Sequence, residues 1–487
     1  MKIEGITFEH CNSDNGGVIE NHGSMNIFNC NFNNNTANLV GGAIFGEMKN
    51  SNSSILKSEF IDNKATEGGS IFLEYNNISL NVVNCTIKNN NASFEGGGGI
   101  KLIGDTSIFN MGNCEIFNNR VESNYRPGGG LLFSGNSSMI INNSNISYNL
   151  AGVAGGISAT GLYTPNLNNF SPKIIINNTK IFNNEASGYG GGIINIFNNI
   201  LIQNTNISKN TVNKNPIDET IGSNGGGFYN TNGISEIINC LFDGNVAGSH
   251  GGGLDSYGSI SYINNTIFKN NGAGLYDREG NITLEKSELS NNKAITNGGG
   301  FYTLEGNIIT DNCNVTDNTA QNNGGAADTY NGNYTIKNSI FRNNNATNGG
   351  AFYNHNGDLS LSNVEIGNNH ATYGGGIYCN ETFTMNNCNM HNNFAENNGG
   401  GIYFVGEPLF NGSINIFNSN ITANTAENNG GGLDSRFANV TTKNTLIKDN
   451  TANYGGGAYT REGNITFENS ELFNNKAITN GGGLYNL

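Results

Sequence analysis

The 487-residue chain has no Trp, 5 Pro and only 13% charged residues. Its 23 Lys and Arg are outnumbered by 38 Asp and Glu, a formal net charge of −15. So few charges exclude the charge-rich composition that keeps many chains disordered. Scattered cations under a net negative charge exclude a nucleic-acid partner, which needs clustered Lys and Arg against phosphate. No apolar run approaches the ~20 residues of a helix that spans a bilayer, so no membrane span is expected in this segment. Hydrophobic residues make up 36%, few for a compact globule, and must be buried economically in a narrow core.

What the chain has instead is glycine and asparagine: 70 Gly, and Asn at about a fifth of all positions. The asparagines are periodic. An apolar-x-x-Asn-x-Ala frame recurs, as in Phe32 to Ala37, Phe60 to Ala65, Ile181 to Ala186, Val315 to Ala320, Phe341 to Ala346 and Ile447 to Ala452. Its Asn falls at Asn35, Asn63, Asn90, Asn119, Asn149, Asn184, Asn210, Asn245, Asn271, Asn292, Asn318, Asn344, Asn369, Asn393, Asn424, Asn450 and Asn475. Most intervals are roughly 24–30 residues, the spacing of a solenoid. Two longer intervals read as loop insertions, TVNKNPIDETIGSN at 211–224 among them.

Within one repeat the hydrophobic period is two. In NITFENSELFNN, Ile465, Phe467, Ser470 and Leu472 alternate with polar neighbours, with a corner at Glu468-Asn469. GGGLY supplies a further strand, and the Gly and Asn load argues against helix. The predicted fold is all-β: a parallel β-helix of about 18 coils of about 26 residues, three short strands per coil. It is right-handed by the rule for parallel crossovers. At ~4.8 Å per coil its length is on the order of 85 Å. The whole of 1–487 reads as one repeat array. GGGLDS recurs at Gly251–Ser256 and Gly430–Ser435, and Tyr276–Thr283 matches Tyr459–Thr466, so 251–303 and 430–487 are related by block duplication. MKIEGITFEHC already reads as strand and GGGLYNL stops inside a repeat. The chain is therefore expected to be a fragment of a longer protein, with export signal and anchor elsewhere.

Stacking turns the sequence into columns. The Asn column is a structural ladder, clearest at Asn35, Asn63, Asn90, Asn119, Asn292, Asn318, Asn344, Asn369, Asn450 and Asn475. An Asn at a corner tolerates left-handed backbone, and stacked amides bond one another. The alternative is glycosylation at sequons such as Asn464-Ile465-Thr466. The Gly triplets open the next strand, as in Gly41–Phe45, where close backbone approach needs glycine. They are not a phosphate cradle, since no GK[ST] follows. Cys11, Cys30, Cys85, Cys114, Cys240, Cys313 and Cys388 share a slot that Ser or Thr fills elsewhere, at Ser58, Thr205 and Ser339 for example. That slot wants a small inward side chain. Cys85 and Cys114 lie in adjacent coils, but parallel Cβ vectors disfavour a disulfide. Cys379 stands outside the slot, and with no CxxC there is no zinc site.

The column with functional promise is tyrosine: Tyr229, Tyr276, Tyr302, Tyr353, Tyr378, Tyr403, Tyr459 and Tyr485, each one apolar residue after the Gly run. Alternation turns these rings away from the core, so an exposed aromatic stripe and a possible binding face are expected. The alternative is that stacked aromatics only reinforce strand pairing. Earlier coils carry Phe45, Phe72, Lys101, Leu132 and Ile194 in this slot. Asp255, Asp328 and Asp434 replace the Tyr, about three and four coils apart. Gaps of roughly 14 and 19 Å are too wide for a hydrolytic carboxylate pair. Asp277 and Glu279 beside Arg278 read as a solvated turn, and the six His occupy unrelated slots. No catalytic, cofactor-binding or metal-binding residues and no cofactor are expected.

The GGAI at Gly41–Ile44 and the FxxN at Phe32–Asn35, Phe60–Asn63, Phe242–Asn245, Phe268–Asn271 and Phe341–Asn344 resemble the repeat of chlamydial polymorphic outer membrane proteins. The Asn-rich form is also similar to adhesin-like surface proteins of methanogenic archaea. The resemblance covers nearly the whole chain, which departs from it in preferring GGG to GGA. It implies a β-helical passenger at the cell surface or secreted, acting in adhesion to a host protein or glycan. Parallel β-helices also host polysaccharide lyases and hydrolases, so an enzyme of the pectate-lyase type, and a purely structural spacer, are the alternatives. With no capped ends in view, end-to-end self-association is expected.

Overall fold

The computed structural model describes residues 1–161, 173–213, 223–406 and 412–487. Most of the insertion expected at 211–224 lies outside them. The chain divides into two compact units, Met1–Tyr262 and Ile263–Leu487. Each is a parallel β-solenoid, and no helix occurs among the described residues. The three-residue strand of the repeat appears nine times in unit 1, from Thr7–Glu9 to Leu241–Asp243, and nine times in unit 2, from Ile267–Lys269 to Glu471–Phe473.

One turn of unit 2 shows the plan. Asn307–Asp311 runs to a corner, Asn314–Thr316 to a second, Thr319–Ala320 follows, and Ala327–Tyr330 comes after the glycines. The next turn repeats it in register: Ile308 over Tyr334, Val315 over Phe341, Asp328 over Tyr353. The three strands expected per turn are present. The two-residue segment adds a fourth ladder, found in unit 1 as Lys64–Ala65 and Asn91–Ala92. It is too short to show a period of two, so the hydrophobic pattern does not reveal it.

The core is narrow. In this turn Ile308, Thr310, Cys313, Val315, Asn318, Ala320, Ala327 and Thr329 all point inward and are buried. Phe32 and Phe60 stack at 4.7 Å with parallel rings. At the inward slot shared by Cys, Ser and Thr, hydrogen bonds run along the stack. Ser58 Oγ donates to the Leu56 carbonyl and accepts from the Cys30 amide at 3.1 Å. All eight cysteines are free thiols, and Cys30, Cys85, Cys114, Cys240, Cys313 and Cys388 lie buried in this slot. Asp277 departs from the reading of a solvated turn. It shares the inward register of Thr303 and is buried, while Glu279 alone faces solvent.

The glycine run fits its neighbours closely. Gly298 has φ +60°, and a Cβ on Gly299 would lie 2.4 Å from the Gly325 carbonyl oxygen and 2.7 Å from that of Thr319. Both contacts are backbone of the following turn, so neither can swing away. Gly299→Ala is expected to cost about 1–3 kcal/mol as an overpacking change. Gly112→Ala, with open space around the new methyl, should stay within about 0.5 kcal/mol. Denaturant titrations of the two variants check this.

The Asn column is an amide ladder inside the protein. Asn318 Oδ1 accepts from both the backbone N–H and the Nδ2 of Asn292, at 3.0 and 2.9 Å. Asn318 Nδ2 donates to the Leu289 carbonyl at 2.8 Å and to Asn344 Oδ1 at 3.1 Å. Every site on the amide is used. The same pattern links Asn35 through Asn63, Asn90, Asn119, Asn149, Asn184 and Asn210 to Asn245 in unit 1. In unit 2 it links Asn271 through Asn292, Asn318, Asn344, Asn369, Asn393, Asn424 and Asn450 to Asn475.

One expectation about this column is corrected. The ladder Asn is not the left-handed residue. Positive φ falls on the residue before it, at Asn34, Asp62, Asn89, Asn118 and Asn343, and again before the Cys/Ser/Thr slot, at Asn29, Lys57, Asn84 and Asn338. An inward side chain and an αL corner are separate tasks, and the doubled Asn of the repeat divides them.

Removing one rung strands its neighbours. Asn318→Ala leaves the Asn292 amide and one Asn292 Nδ2 proton without partners and takes one of two donors from the Leu289 carbonyl. At ~1–3 kcal/mol for each buried orphan, a loss of about 3 kcal/mol or more is expected. Asn307→Ala, which breaks exposed pairings to Asn281 and Asn333, should cost about 0.5–1 kcal/mol. Thermal unfolding of the two variants separates a buried ladder from a surface decoration.

Candidate functional site: a tyrosine and carboxylate row

The strand after each glycine run sets the row. Phe301 and Thr303 point inward, so Tyr302 and Leu304 between and after them point outward. In register, the outward row of unit 2 reads Tyr276, Tyr302, Asp328, Tyr353, Tyr378, Tyr403, Asp434, Tyr459, Tyr485. Unit 1 carries Phe45, Phe72, Lys101, Leu132, Ser158, Ile194, Tyr229 and Asp255 in the same slot. The structure thus aligns the predicted tyrosines of unit 2 along one row.

The row is not the exposed stripe that alternation implies. Tyr229, Tyr276, Tyr403 and Tyr459 are only 8%, 4%, 7% and 6% accessible. Tyr302, Tyr353, Tyr378 and Tyr485 are half-buried. The first cause is mutual packing. Tyr276 meets Tyr302 at 5.2 Å, Tyr353 meets Tyr378 at 4.9 Å, and Tyr378 meets Tyr403 edge-on at 5.1 Å. The second is a parallel file that sequence reasoning missed. Tyr189 packs on Tyr229 at 4.8 Å, Tyr373 on Tyr403 at 5.5 Å and Tyr454 on Tyr485 at 5.8 Å. Each of these three stands directly before the glycines, and that Tyr-Gly-Gly-Gly string was the available signal. Asn323 and Asn348 fill the same place in other turns and bond each other at 2.9 Å.

The carboxylates are buried too. Asp255 and Asp434 are fully covered and Asp328 is 2% accessible. Asp434 has a partner: Arg436, two residues on, brings a guanidinium nitrogen 3.5 Å from its carboxylate and lies over the Tyr403 ring at 5.5 Å. Burial pushes the Asp434 carboxyl up to about 7, against the pull of Arg436. Burial alone raises Asp328 well above the usual carboxylate range. Burial, and next the charge of Asp328, push the Tyr302 hydroxyl up to about 12. Within unit 2, Asp328 and Asp434 stand four turns apart, roughly 19 Å, beyond the spacing of a glycosidase pair.

The geometry of one early turn agrees with the family comparison. Residues 29–47 match the Chlamydia polymorphic membrane protein repeat. The matched stretch holds each device of the turn described above. It runs from the αL corner at Asn29 through Cys30, the stacked Phe32 and the ladder Asn35 to the glycine turn and the outward Phe45. Later turns keep the same plan, with Phe32 over Phe60 and Phe60 over Ile87. No curated protein matches the chain significantly. No helix of the described residues is long and apolar enough to cross a membrane.

The buried acids make stability depend on pH in a definite direction. A carboxyl with a raised folded pKa keeps a proton that the unfolded chain has already released. Its contribution is full below the unfolded carboxylate range, near pH 4, and is lost as pH rises through about 7, the value for Asp434. The melting temperature is therefore expected to fall between pH 5 and pH 8, by roughly 2–4 °C for each kcal/mol lost. Asp434→Asn and Asp328→Asn should flatten that slope in thermal melts at the two pH values.

Proposed function

We propose that this protein is a non-enzymatic, adhesin-like stalk at the cell surface or outside the cell, whose tyrosine and carboxylate row meets a host protein or glycan. One observation carries the reading. In unit 2 the outward slot is Tyr at seven of nine successive turns and Asp at the other two. A core does not need that composition, because the slot faces away from it. Aromatic side chains concentrate where surfaces meet partners. The polymorphic membrane protein repeat at 29–47 supports a surface location for the chain. The four turns between Asp328 and Asp434, roughly 19 Å, support a binding role over a hydrolytic one, since a glycosidase pair stands closer.

A spacer is the second reading, and the burial of Tyr403 and Tyr459 favours it. Rings that cover one another would then serve strand pairing alone. Tyr353→Ala with Tyr378→Ala separates the two. Both rings are half-buried, and their loss should weaken binding to host cells or to a glycan array by about 10-fold or more while circular dichroism stays β-rich. Unchanged binding would remove the row as the contact face. Release of reducing sugar from polysaccharides by the purified protein would overturn the non-enzymatic reading.

A further inference from the structure

The two carboxylates of the unit 2 row sit in matching surroundings and differ in one respect. Asp434 lies in register between Tyr403 and Tyr459, and Asp328 between Tyr302 and Tyr353. Each follows a glycine run and an inward apolar residue, Leu433 in one case and Ala327 in the other. Two positions on, still on the outward side, the Asp434 turn carries Arg436 and the Asp328 turn carries Tyr330. Arg436 folds back over Tyr403 and supplies a guanidinium to Asp434. Tyr330 supplies none. It is 41% exposed and stacks on His355 at 5.0 Å, and His355 in turn faces Tyr353 at 6.4 Å.

Asp328 is therefore an acid with aromatic walls and no cation. Among the described residues none donates a hydrogen bond to its carboxyl. Buried carboxylates are ordinarily paired. Tyr302 and Tyr353 stand two turns apart, about 9.6 Å. That spacing admits one planar group in contact, at ~3.5–4.0 Å, with one of the two rings. A ring face attracts a cation, and the acid at the floor, once it gives up its proton to water as the cation arrives, adds a charge-assisted hydrogen bond.

From this internal comparison we infer that Asp328, Tyr302, Tyr330 and Tyr353 form a site for a guanidinium group supplied from outside the chain, the side chain of an arginine on a partner protein. The incoming group takes the place at Asp328 that Arg436 holds at Asp434: over the ring of the preceding turn, with an N–H toward the carboxylate. The chain's net charge of −15 favours the approach of a cationic partner. The inference deepens the adhesive reading by naming the chemistry of the contact, and rests on it only for the claim that the guanidinium belongs to another protein.

The test uses n-butylguanidinium chloride, with the uncharged n-butylurea as its shape control, on the full chain labelled with ring-¹³C tyrosine. Saturable shifts at Tyr302 and Tyr353 are expected with the guanidinium and not with the urea. Asp328→Asn should weaken binding at least 10-fold. Arg436→Ala should open a second site, seen as new shifts at Tyr403 and Tyr459, and this arm stands even if the Asp328 variant folds poorly. Equal binding of urea and guanidinium would reduce the row to plain apolar surface and overturn the site. So would full affinity in folded Asp328→Asn, or no new shifts in Arg436→Ala. Guanidinium binding at Asp328 without attachment to any host surface would leave the site standing and remove the adhesive reading. Attachment that survives Asp328→Asn would remove the site's role and leave the adhesive reading.

Discussion

The constraint on which the structure depends is the saturated amide ladder. A turn of about 26 residues carries too few hydrophobic side chains to define its height over the next by packing alone. The ladder Asn defines it. Its carbonyl accepts from the amide and side chain of the turn before, and its NH2 reaches the following Asn and a strand carbonyl. A slip of one residue would leave all of these groups buried and unpaired, so register is set by the cost of orphaned polar groups as well as by apolar contact. The Ser/Thr/Cys slot repeats the device at the neighbouring corner, with Oγ taking the amide of the turn before.

Register in turn makes composition into architecture. Once each turn repeats the last, any slot becomes a column, and a small bias in residue type becomes a continuous surface. The glycines allow the backbone of one turn to lie against the next at distances that exclude a Cβ. That closeness brings the outward rings of successive turns within stacking range. The tyrosine row is thus a consequence of tight stacking, and its burial follows from the same cause. A row of rings spaced at the height of a turn covers itself.

The carboxylates mark where this regularity is broken. Replacing a ring by Asp leaves a short acidic side chain between two tall aromatic neighbours. At Asp434 the chain answers with Arg436, and at Asp328 it does not. On a scaffold whose turns are otherwise alike, such local differences are where recognition can be specific, because everything around them is held constant.

Much of this was legible in the sequence, for a physical reason: a solenoid maps sequence distance directly onto spatial adjacency. A frame recurring at intervals of 24–30 residues places Asn318 beside Asn344, and alternation assigns Phe301 and Tyr302 to opposite sides. The Asn ladder, the slot shared by Cys and Ser, and the outward row were all readable on that basis. The left-handed corner was assigned to the wrong member of each Asn pair, because identical residues give no clue to which one turns inward. The two-residue strand at Thr319–Ala320 shows no period. Exposure was the larger omission. Alternation gives the direction of a side chain and says nothing of what covers it. Only the tertiary structure decided that Tyr189, Tyr373 and Tyr454 lean onto the row, that Asp277 faces the interior, and that Arg436 reaches Asp434 while Asp328 goes without. Those outcomes depend on side-chain reach and turn height in three dimensions, and a one-dimensional pattern carries neither.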